Sequence, residues 1–96
     1  MNDKALKIRV RGQVQGVGYR RYAQRAAEGC QVFGWARNLR NGEVEILALG
    51  NESALENYLT LLRKGPPFGH VEEVITHETE FQSISHFSIL PDGASE

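Results

Sequence analysis

The sequence predicts an α+β fold in which two helices cover one face of an antiparallel sheet of four to five strands. Three observations support this prediction. Residues 6–11 alternate between apolar and basic side chains, two later stretches repeat apolar residues at helical spacing, and a hairpin signal lies between those stretches. A chain of 96 residues can bury one hydrophobic core, so we expect a single domain over residues 1–96.

The first strand and the first helix flank a glycine-rich turn. In the strand, three apolar residues alternate with three basic ones, Leu6, Ile8 and Val10 against Lys7, Arg9 and Arg11. Beyond the turn, small or apolar residues recur at helical spacing at Tyr22, Ala23, Ala26, Ala27 and Cys30. This pattern predicts a helix from about Tyr19 to Glu28, which Gly29 is expected to end.

The later elements follow from a hairpin and a well-marked helix. Residues 32–37 and 43–49 predict two strands, and the loop between them ends in Asn41-Gly42, where both residues tolerate positive φ. The second helix is expected to begin at a capping box of Ser53 and Glu56 and to end at Gly65-Pro66-Pro67. Its apolar stripe consists of Leu55, Tyr58, Leu59 and Leu62.

The C-terminal third predicts a fourth strand over residues 71–79 and a short fifth strand over residues 87–90. The last five or six residues are expected to be frayed. With a hairpin between the two helices, the order of elements gives two split βαβ halves, which is the ferredoxin-like arrangement.

Composition argues against several kinds of partner and cofactor. The net charge of −1 lacks the basic excess that nucleic-acid binding usually requires. Cys30 is the only cysteine, which excludes an intramolecular disulfide and a cysteine metal cluster, and a small buried hydrophobe is its expected role. The histidines, His70, His77 and His86, show no metal-ligand spacing. We therefore expect no metal and no cofactor.

The N-terminus and the hydropathy predict a cytoplasmic protein. Residues 1–4 lack the apolar run of a signal peptide, and no stretch approaches membrane-spanning length, so no membrane partner is expected. Nothing in the sequence requires a dimer, and we expect a monomer.

The turn GQVQGVGYR, residues 12–20, has the features of an anion site. Its glycines allow successive amide N–H groups to point to one place beside a helix N-terminus. A cation at that end of a helix costs about 0.3–1 kcal/mol unless an anion lies nearby, so Arg20 is placed to grip phosphate or carboxylate oxygens. Arg21 is expected to be solvated. A tight turn followed by exposed arginines would give the same pattern, and the residues of this turn alone leave both interpretations open.

A second motif, GWARNLRNGEVEILALG at residues 34–50, together with the first closely resembles the acylphosphatase family. The first family signature, Gly-x-Val-Gln-Gly-Val-x-aromatic-Arg, is met at every position from Gly12 to Arg20. The second signature is met by Gly34, Trp35, Ala36, Arg37, Asn38, Gly42, Val44 and Gly50. One departure is Cys30-Gln31-Val32, where the family often has Leu-Gly-Leu, so the first helix must end differently.

The resemblance implies an acylphosphatase, a hydrolase that cleaves carboxyl-phosphate mixed anhydrides to a carboxylate and inorganic phosphate. It implies that Arg20 grips the phosphoryl group and that Asn38 orients the attacking water. It places the substrate phosphate in the loop formed by Gln15, Gly16, Val17, Gly18, Tyr19 and Arg20. The expected partners are a small acyl phosphate and inorganic phosphate, which is the product and a competitive inhibitor. No metal is needed, because phosphoryl transfer mainly requires positioning and charge stabilisation.

A second interpretation is a non-catalytic module of the same fold that binds an anion or an acyl phosphate, since acylphosphatase-like domains also occur inside larger maturation enzymes. We expect the free-standing enzyme, because 96 residues leave no room for a second activity.

Overall fold

The computed structural model describes residues 3–93, whose five strands and two helices follow the order predicted from the sequence. The strands are β1 (Asp3–Gln13), β2 (Phe33–Asn38), β3 (Val44–Asn51), β4 (His70–Thr79) and β5 (Phe87–Ile89). The helices are α1 (Tyr19–Cys30) and α2 (Glu52–Lys64). The strands form one sheet in the order β4-β1-β3-β2-β5, and both helices pack against the same core. The predicted α+β, ferredoxin-like fold is confirmed.

The sheet is mixed, so the prediction of a purely antiparallel sheet is wrong at one edge. The strand β5 pairs with β2 in parallel, from Gly34 opposite Phe87 to Ala36 opposite Ile89, whereas the other pairs are antiparallel. The reason is the path of residues 80–86, which lead from β4 at one edge of the sheet to the opposite edge. Ile84 in this segment packs on the helix-free face, so β5 enters from the end at which β2 begins.

Two buried tyrosines fix the helices to each other. The Tyr19 hydroxyl donates a hydrogen bond to the carbonyl oxygen of Leu62 at 2.8 Å, and the Tyr58 hydroxyl donates to that of Ala23 at 3.1 Å. Each ring lies in the main core while its hydroxyl reaches the other helix, which is the usual way for a buried tyrosine to satisfy its polar end. The first residue of α1, and with it the glycine-rich turn, is therefore anchored to α2.

The helix α1 continues through Gly29 and ends at Cys30, so the prediction that Gly29 ends it is wrong. The next residue, Gln31, adopts the left-handed conformation with φ of 61°, and its N–H donates to the carbonyl oxygens of Ala27 and Glu28. Few non-glycine residues adopt this conformation. Gln31 stands where the family often has glycine, so this helix ends on a left-handed glutamine.

The helix α2 begins at a different cap from the predicted one. Asn51 is the N-cap, and its side chain accepts a hydrogen bond from the N–H of Ala54 at 2.8 Å. Ser53 lies inside the first turn, so the predicted capping box is wrong. The predicted stop is confirmed, because Gly65 closes the helix with φ of 72° and an N–H bond to Leu61.

The face of the sheet without helices carries ion pairs that join a strand to a neighbouring strand or to the 39–43 loop. Nη1 of Arg9 on β1 lies 3.1 Å from Oε1 of Glu43, and Nη2 of Arg37 on β2 lies 2.8 Å from Oε1 of Glu45. Glu45 is only 8% exposed. The predicted alternation along β1 thus corresponds to one row of side chains in the core and one row of cross-strand charge pairs.

The described part of the chain stops short of both termini, and Met1, Asn2 and residues 94–96 lie outside it. The expectation of frayed final residues is wrong for Gly93, whose N–H donates to the carbonyl oxygen of Asn38 at 2.8 Å. Between residues 3 and 93, no helix is long and apolar enough to span a membrane.

Candidate active site

The glycine-rich turn forms a loop, residues 15–20, at the N-terminus of α1. Gly16 and Gly18 adopt left-handed backbone conformations, with φ of 75° and 79°, that a residue with a Cβ rarely adopts. Gly18 is the N-cap of α1, and neither a side-chain cap nor an acidic residue occupies the first turn of this helix. The first turn itself therefore supplies no negative charge at the positive end of the helix dipole, which favours binding of an anion there.

Arg20 lies in the first turn of α1, with 32% of its side chain exposed. Its Nη1 is 3.4 Å from the carbonyl oxygen of Leu90 and 3.4 Å from Oδ1 of Asp92. Both distances exceed the roughly 2.7–2.9 Å of a strong charge-assisted hydrogen bond. Since the Asp92 side chain is 72% exposed and its contact with Arg20 is long, an anion can replace it at the guanidinium without breaking a tight ion pair.

Asn38 is the last residue of β2 and is 8% exposed. Its Oδ1 is buried and has no hydrogen-bond partner among residues 3–93. An unpaired buried amide oxygen costs about 1–3 kcal/mol, so this atom is expected to accept a hydrogen bond from a molecule outside the chain.

The hairpin that follows Asn38 is confirmed, although only one of its two marker residues uses positive φ. Gly42 has φ of 97°, whereas Asn41 lies outside the left-handed region and its Oδ1 accepts the N–H of Glu43 at 3.0 Å. The N–H of Leu39 donates to the carbonyl oxygen of Glu43 at 2.8 Å and closes the loop of residues 39–43. Asn38 is therefore held at the end of a closed turn.

A cavity of about 290 Å³ brings the two predicted catalytic residues, Arg20 and Asn38, together. Its lining consists of Val14, Gly16, Gly18, Tyr19, Arg20, Arg21, Asn38 and Ile89. Val14 belongs to the first motif, whereas the sequence did not predict Ile89 as a site residue, because Ile89 reaches the cavity through the parallel pairing of β5 with β2. Arg21 is exposed, as expected for a solvated side chain, but it also borders the cavity.

Two residues of the predicted phosphate loop do not line the cavity. Val17 packs against the main core, and the side chain of Gln15 donates hydrogen bonds to the 39–43 loop. Gln15 and Val17 are predicted to bind phosphate through their backbone N–H groups, so the prediction does not require their side chains to line the cavity.

Within residues 3–93, the side chains that line this cavity include no histidine, lysine, cysteine or carboxylate. Burial raises the pKa of the Tyr19 phenol well above its ordinary value of 10.0, and its hydroxyl is engaged by Leu62. Arg20 and Arg21 contribute guanidinium N–H donors and positive charge. The site can therefore act through positioning and fixed positive charge.

Other candidate residues lie away from this cavity. His70, His77 and His86 are exposed, and in the described range no group of three or more His, Cys, Asp or Glu side chains is placed to hold a metal ion. Cys30 is partly rather than fully buried, although it packs against the core as expected, and desolvation raises the pKa of its thiol.

A larger cavity of about 500 Å³ lies at the opposite end of the sheet, where α1 ends and β2 begins. It is lined in part by the exposed rings of Phe33 and Phe81 and contains neither Arg20 nor Asn38. The larger cavity is therefore not the one that contains the predicted catalytic residues.

Known proteins share both the sequence and the fold of this chain. The family model for Acylphosphatase matches residues 6–89. The chain is 45% identical to an acylphosphatase of Deinococcus radiodurans, over 88% of this chain and 97% of that relative. The crystal structure of acylphosphatase from Bacillus subtilis matches with a TM-score of 0.87 at 37% identity, over 90% of this chain and 97% of that one.

A third similarity concerns the fold alone. The crystal structure of full-length HypF in the phosphate- and nucleotide-bound form matches 97% of this chain with a TM-score of 0.90. The identity is 24%, and the matched part is 12% of that chain.

Proposed function

Because this chain belongs to the acylphosphatase family, we infer that it is an enzyme that hydrolyses acyl phosphates to a carboxylate and inorganic phosphate. The observation that supports a mechanism for this chain's own residues is the cavity that Arg20, Asn38 and the N-terminus of α1 line together.

We propose that the phosphoryl group binds to the loop of residues 15–20. Its oxygens would accept hydrogen bonds from the backbone N–H groups of this loop, which the left-handed Gly16 and Gly18 allow to converge. Arg20 adds a fixed positive charge and a forked pair of donors beside the helix N-terminus. Tyr19 contributes its N–H only, since its hydroxyl is bound to Leu62.

Asn38 is proposed to hold the attacking water. Its Oδ1 accepts a hydrogen bond from the water, which directs a water lone pair toward phosphorus. A carboxamide cannot take up a proton, so Asn38 orients the nucleophile without acting as its base. As the bond from water oxygen to phosphorus forms, the bond from phosphorus to the acyl oxygen breaks. Its electron pair leaves with the carboxylate, and both water hydrogens stay on the phosphate product.

Hydrolysis of benzoyl phosphate by the purified chain tests this proposal. The expected result is release of benzoate and phosphate in equal amounts, with competitive inhibition by inorganic phosphate. A folded protein that binds phosphate, as shown by a raised melting temperature, but does not turn over the substrate would contradict the catalytic proposal and indicate a binding module.

We also propose that the protein is a monomer, that it acts in the cytoplasm, and that residues 1–96 form one domain. The two residues proposed as catalytic, Arg20 and Asn38, meet within one chain, which supports an active monomer. Sedimentation should give a mass of 10.7 kDa, and one cooperative unfolding transition should be seen. A dimer that loses activity on dilution would contradict the first point, and recovery of the protein outside the cytoplasmic fraction would contradict the second.

A further inference from the structure

The side chain of Gln15 joins the phosphate loop to the hairpin loop. Its Nε2 donates one hydrogen bond to the carbonyl oxygen of Leu39 at 2.8 Å and another to that of Glu43 at 2.9 Å. Leu39 directly follows Asn38 in the chain, and Glu43 directly precedes β3. The Gln15 carboxamide therefore connects the proposed phosphate-binding loop with Leu39, the neighbour of Asn38, which is proposed to hold the water.

The same two carbonyl groups close the hairpin loop. Leu39 also accepts from the N–H of Gly42 at 3.2 Å, and Glu43 also accepts from the N–H of Leu39 at 2.8 Å. A carbonyl oxygen can accept two hydrogen bonds, and a glutamine amide can donate two. Gln15 thus supplies the second hydrogen bond to each of these carbonyl oxygens and uses both N–H groups of its amide. Two hydrogen bonds fix both the distance and the orientation of the hairpin loop relative to Gln15.

Asn38 needs such support, because the described hydrogen bonds hold its backbone and leave its side chain unpaired at Oδ1. The backbone pairs with Val44 in the sheet and accepts the N–H of Gly93 at 2.8 Å. Neither contact involves the phosphate loop. Of the side chains in that loop, Gln15 is the one with hydrogen bonds to the Asn38 side of the cavity.

We propose that Gln15 is a positioning residue whose side-chain amide sets the distance between the phosphate-binding loop and the water held by Asn38. This inference rests on the proposed function and extends it to a side chain outside the cavity lining. A displacement of about 1 Å between reacting groups can lower a rate about a hundredfold. The Gln15 side chain is therefore expected to affect kcat far more than the binding of phosphate.

Two substitutions test the bridge. Gln15→Met keeps the side-chain length but removes both donors, and Gln15→Glu keeps the shape but faces two carbonyl oxygens with a carboxylate. We expect kcat on benzoyl phosphate to fall between about tenfold and a hundredfold in Gln15→Met and further in Gln15→Glu. In Gln15→Met, KM and the inhibition constant for inorganic phosphate should change by less than about threefold.

The matched control is Gln24→Met. Gln24 donates a hydrogen bond of the same kind, 3.0 Å long, from α1 to the carbonyl oxygen of Phe87 on β5, and it does not line the cavity. Its loss should lower the melting temperature and leave kcat within about twofold of the parent value. If the two methionine variants lose stability and kcat to the same extent, Gln15 supports only the fold and the inference is wrong.

A double-mutant cycle with Asn38→Ala shows whether Gln15 acts through Asn38. If it does, Gln15→Met costs less than about twofold in kcat once Asn38 is alanine, because no held water remains to be displaced. An equal loss of kcat in both backgrounds would overturn the inference.

A measurement without turnover separates this inference from the proposed function. Inorganic phosphate should slow amide hydrogen exchange at Leu39 and Gly42 in the parent protein, and this protection should disappear in Gln15→Met or Gln15→Glu, whichever folds. Persistence of the protection refutes the bridge. Unimpaired kcat in Asn38→Ala, by contrast, refutes the water site, while lost protection would still show that Gln15 couples the two loops.

Discussion

Replacing Asn38 with alanine should lower turnover with little effect on stability. The buried Oδ1 has no partner among residues 3–93, so alanine breaks no hydrogen bond of the Asn38 oxygen within the described part of the chain. The substitution removes one buried carbon, which contributes about 0.8 kcal/mol, so the free energy of unfolding should fall by about 0.8 kcal/mol at most. Because 1 kcal/mol shifts the melting temperature of a domain of this size by about 4–8 °C, the melting temperature should fall by a few degrees at most.

Thermal unfolding without phosphate and steady-state hydrolysis of benzoyl phosphate measure the two effects on the same protein. We expect kcat to fall at least about a hundredfold, with KM and phosphate inhibition nearly unchanged, because the interaction is made with the nucleophile. If Asn38 only shapes the hairpin, the melting temperature falls by several degrees and KM changes along with kcat. A folded variant with unimpaired kcat would show that another group holds the water.

Three further predictions concern charge and protons. Asp92→Asn should strengthen inhibition by phosphate up to about fivefold, because an exposed ion pair contributes about 1 kcal/mol at most, and weaker inhibition would mean that Asp92 positions Arg20. Exhaustive treatment with EDTA should leave kcat unchanged, since Arg20 and backbone donors supply the positive charge, and loss of activity restored by zinc or magnesium would contradict this. Burial raises the pKa of Tyr19, so above pH 10.0 the unfolded chain releases a proton that the native state keeps. The free energy of unfolding is therefore unaffected by Tyr19 below pH 10.0 and falls as the pH rises above it. The fall in melting temperature should be shallower in Tyr19→Phe, and an equal slope in both proteins would count against the burial effect.

The elements of the fold were predictable because each has a local pattern, whereas several of their boundaries and one pairing were not. Asn51 and Ser53 are both good N-cap residues, and the choice between them depends on β3, which pairs with β1 as far as Asn51 opposite Asp3. A capping box carries no information about where the preceding strand ends. The parallel pairing of β5 likewise depends on the path of residues 80–86 across the sheet, which no short stretch encodes.

Some features of the candidate site were likewise predictable from the sequence, and others were not. The motifs identified Arg20 and Asn38, and the structure places both at one cavity. They did not identify Asp92 near Arg20, because the two residues are 72 positions apart and meet only after β5 has joined the sheet. The bridge from Gln15 to Leu39 also depends on tertiary folding, although the glutamine itself belongs to the first motif. The residues of the site could be predicted from their type and their motif, whereas contacts between residues far apart in the chain could be found only from the structure.

The most direct test of an acyl phosphate site built on the loop and its arginine is Arg20→Gln. The substitution removes the charge and the fork, and charge-assisted bonds contribute about 1.5–3 kcal/mol each, so kcat/KM on benzoyl phosphate should fall at least about a hundredfold. Phosphate at about a hundred times its Kd should stabilise the parent protein by about 2.7 kcal/mol and should not stabilise this variant. Arg25→Gln, at an exposed position of the same helix, is the matched control and should retain both properties. A folded Arg20→Gln protein that hydrolyses benzoyl phosphate at a near-native rate would contradict the account.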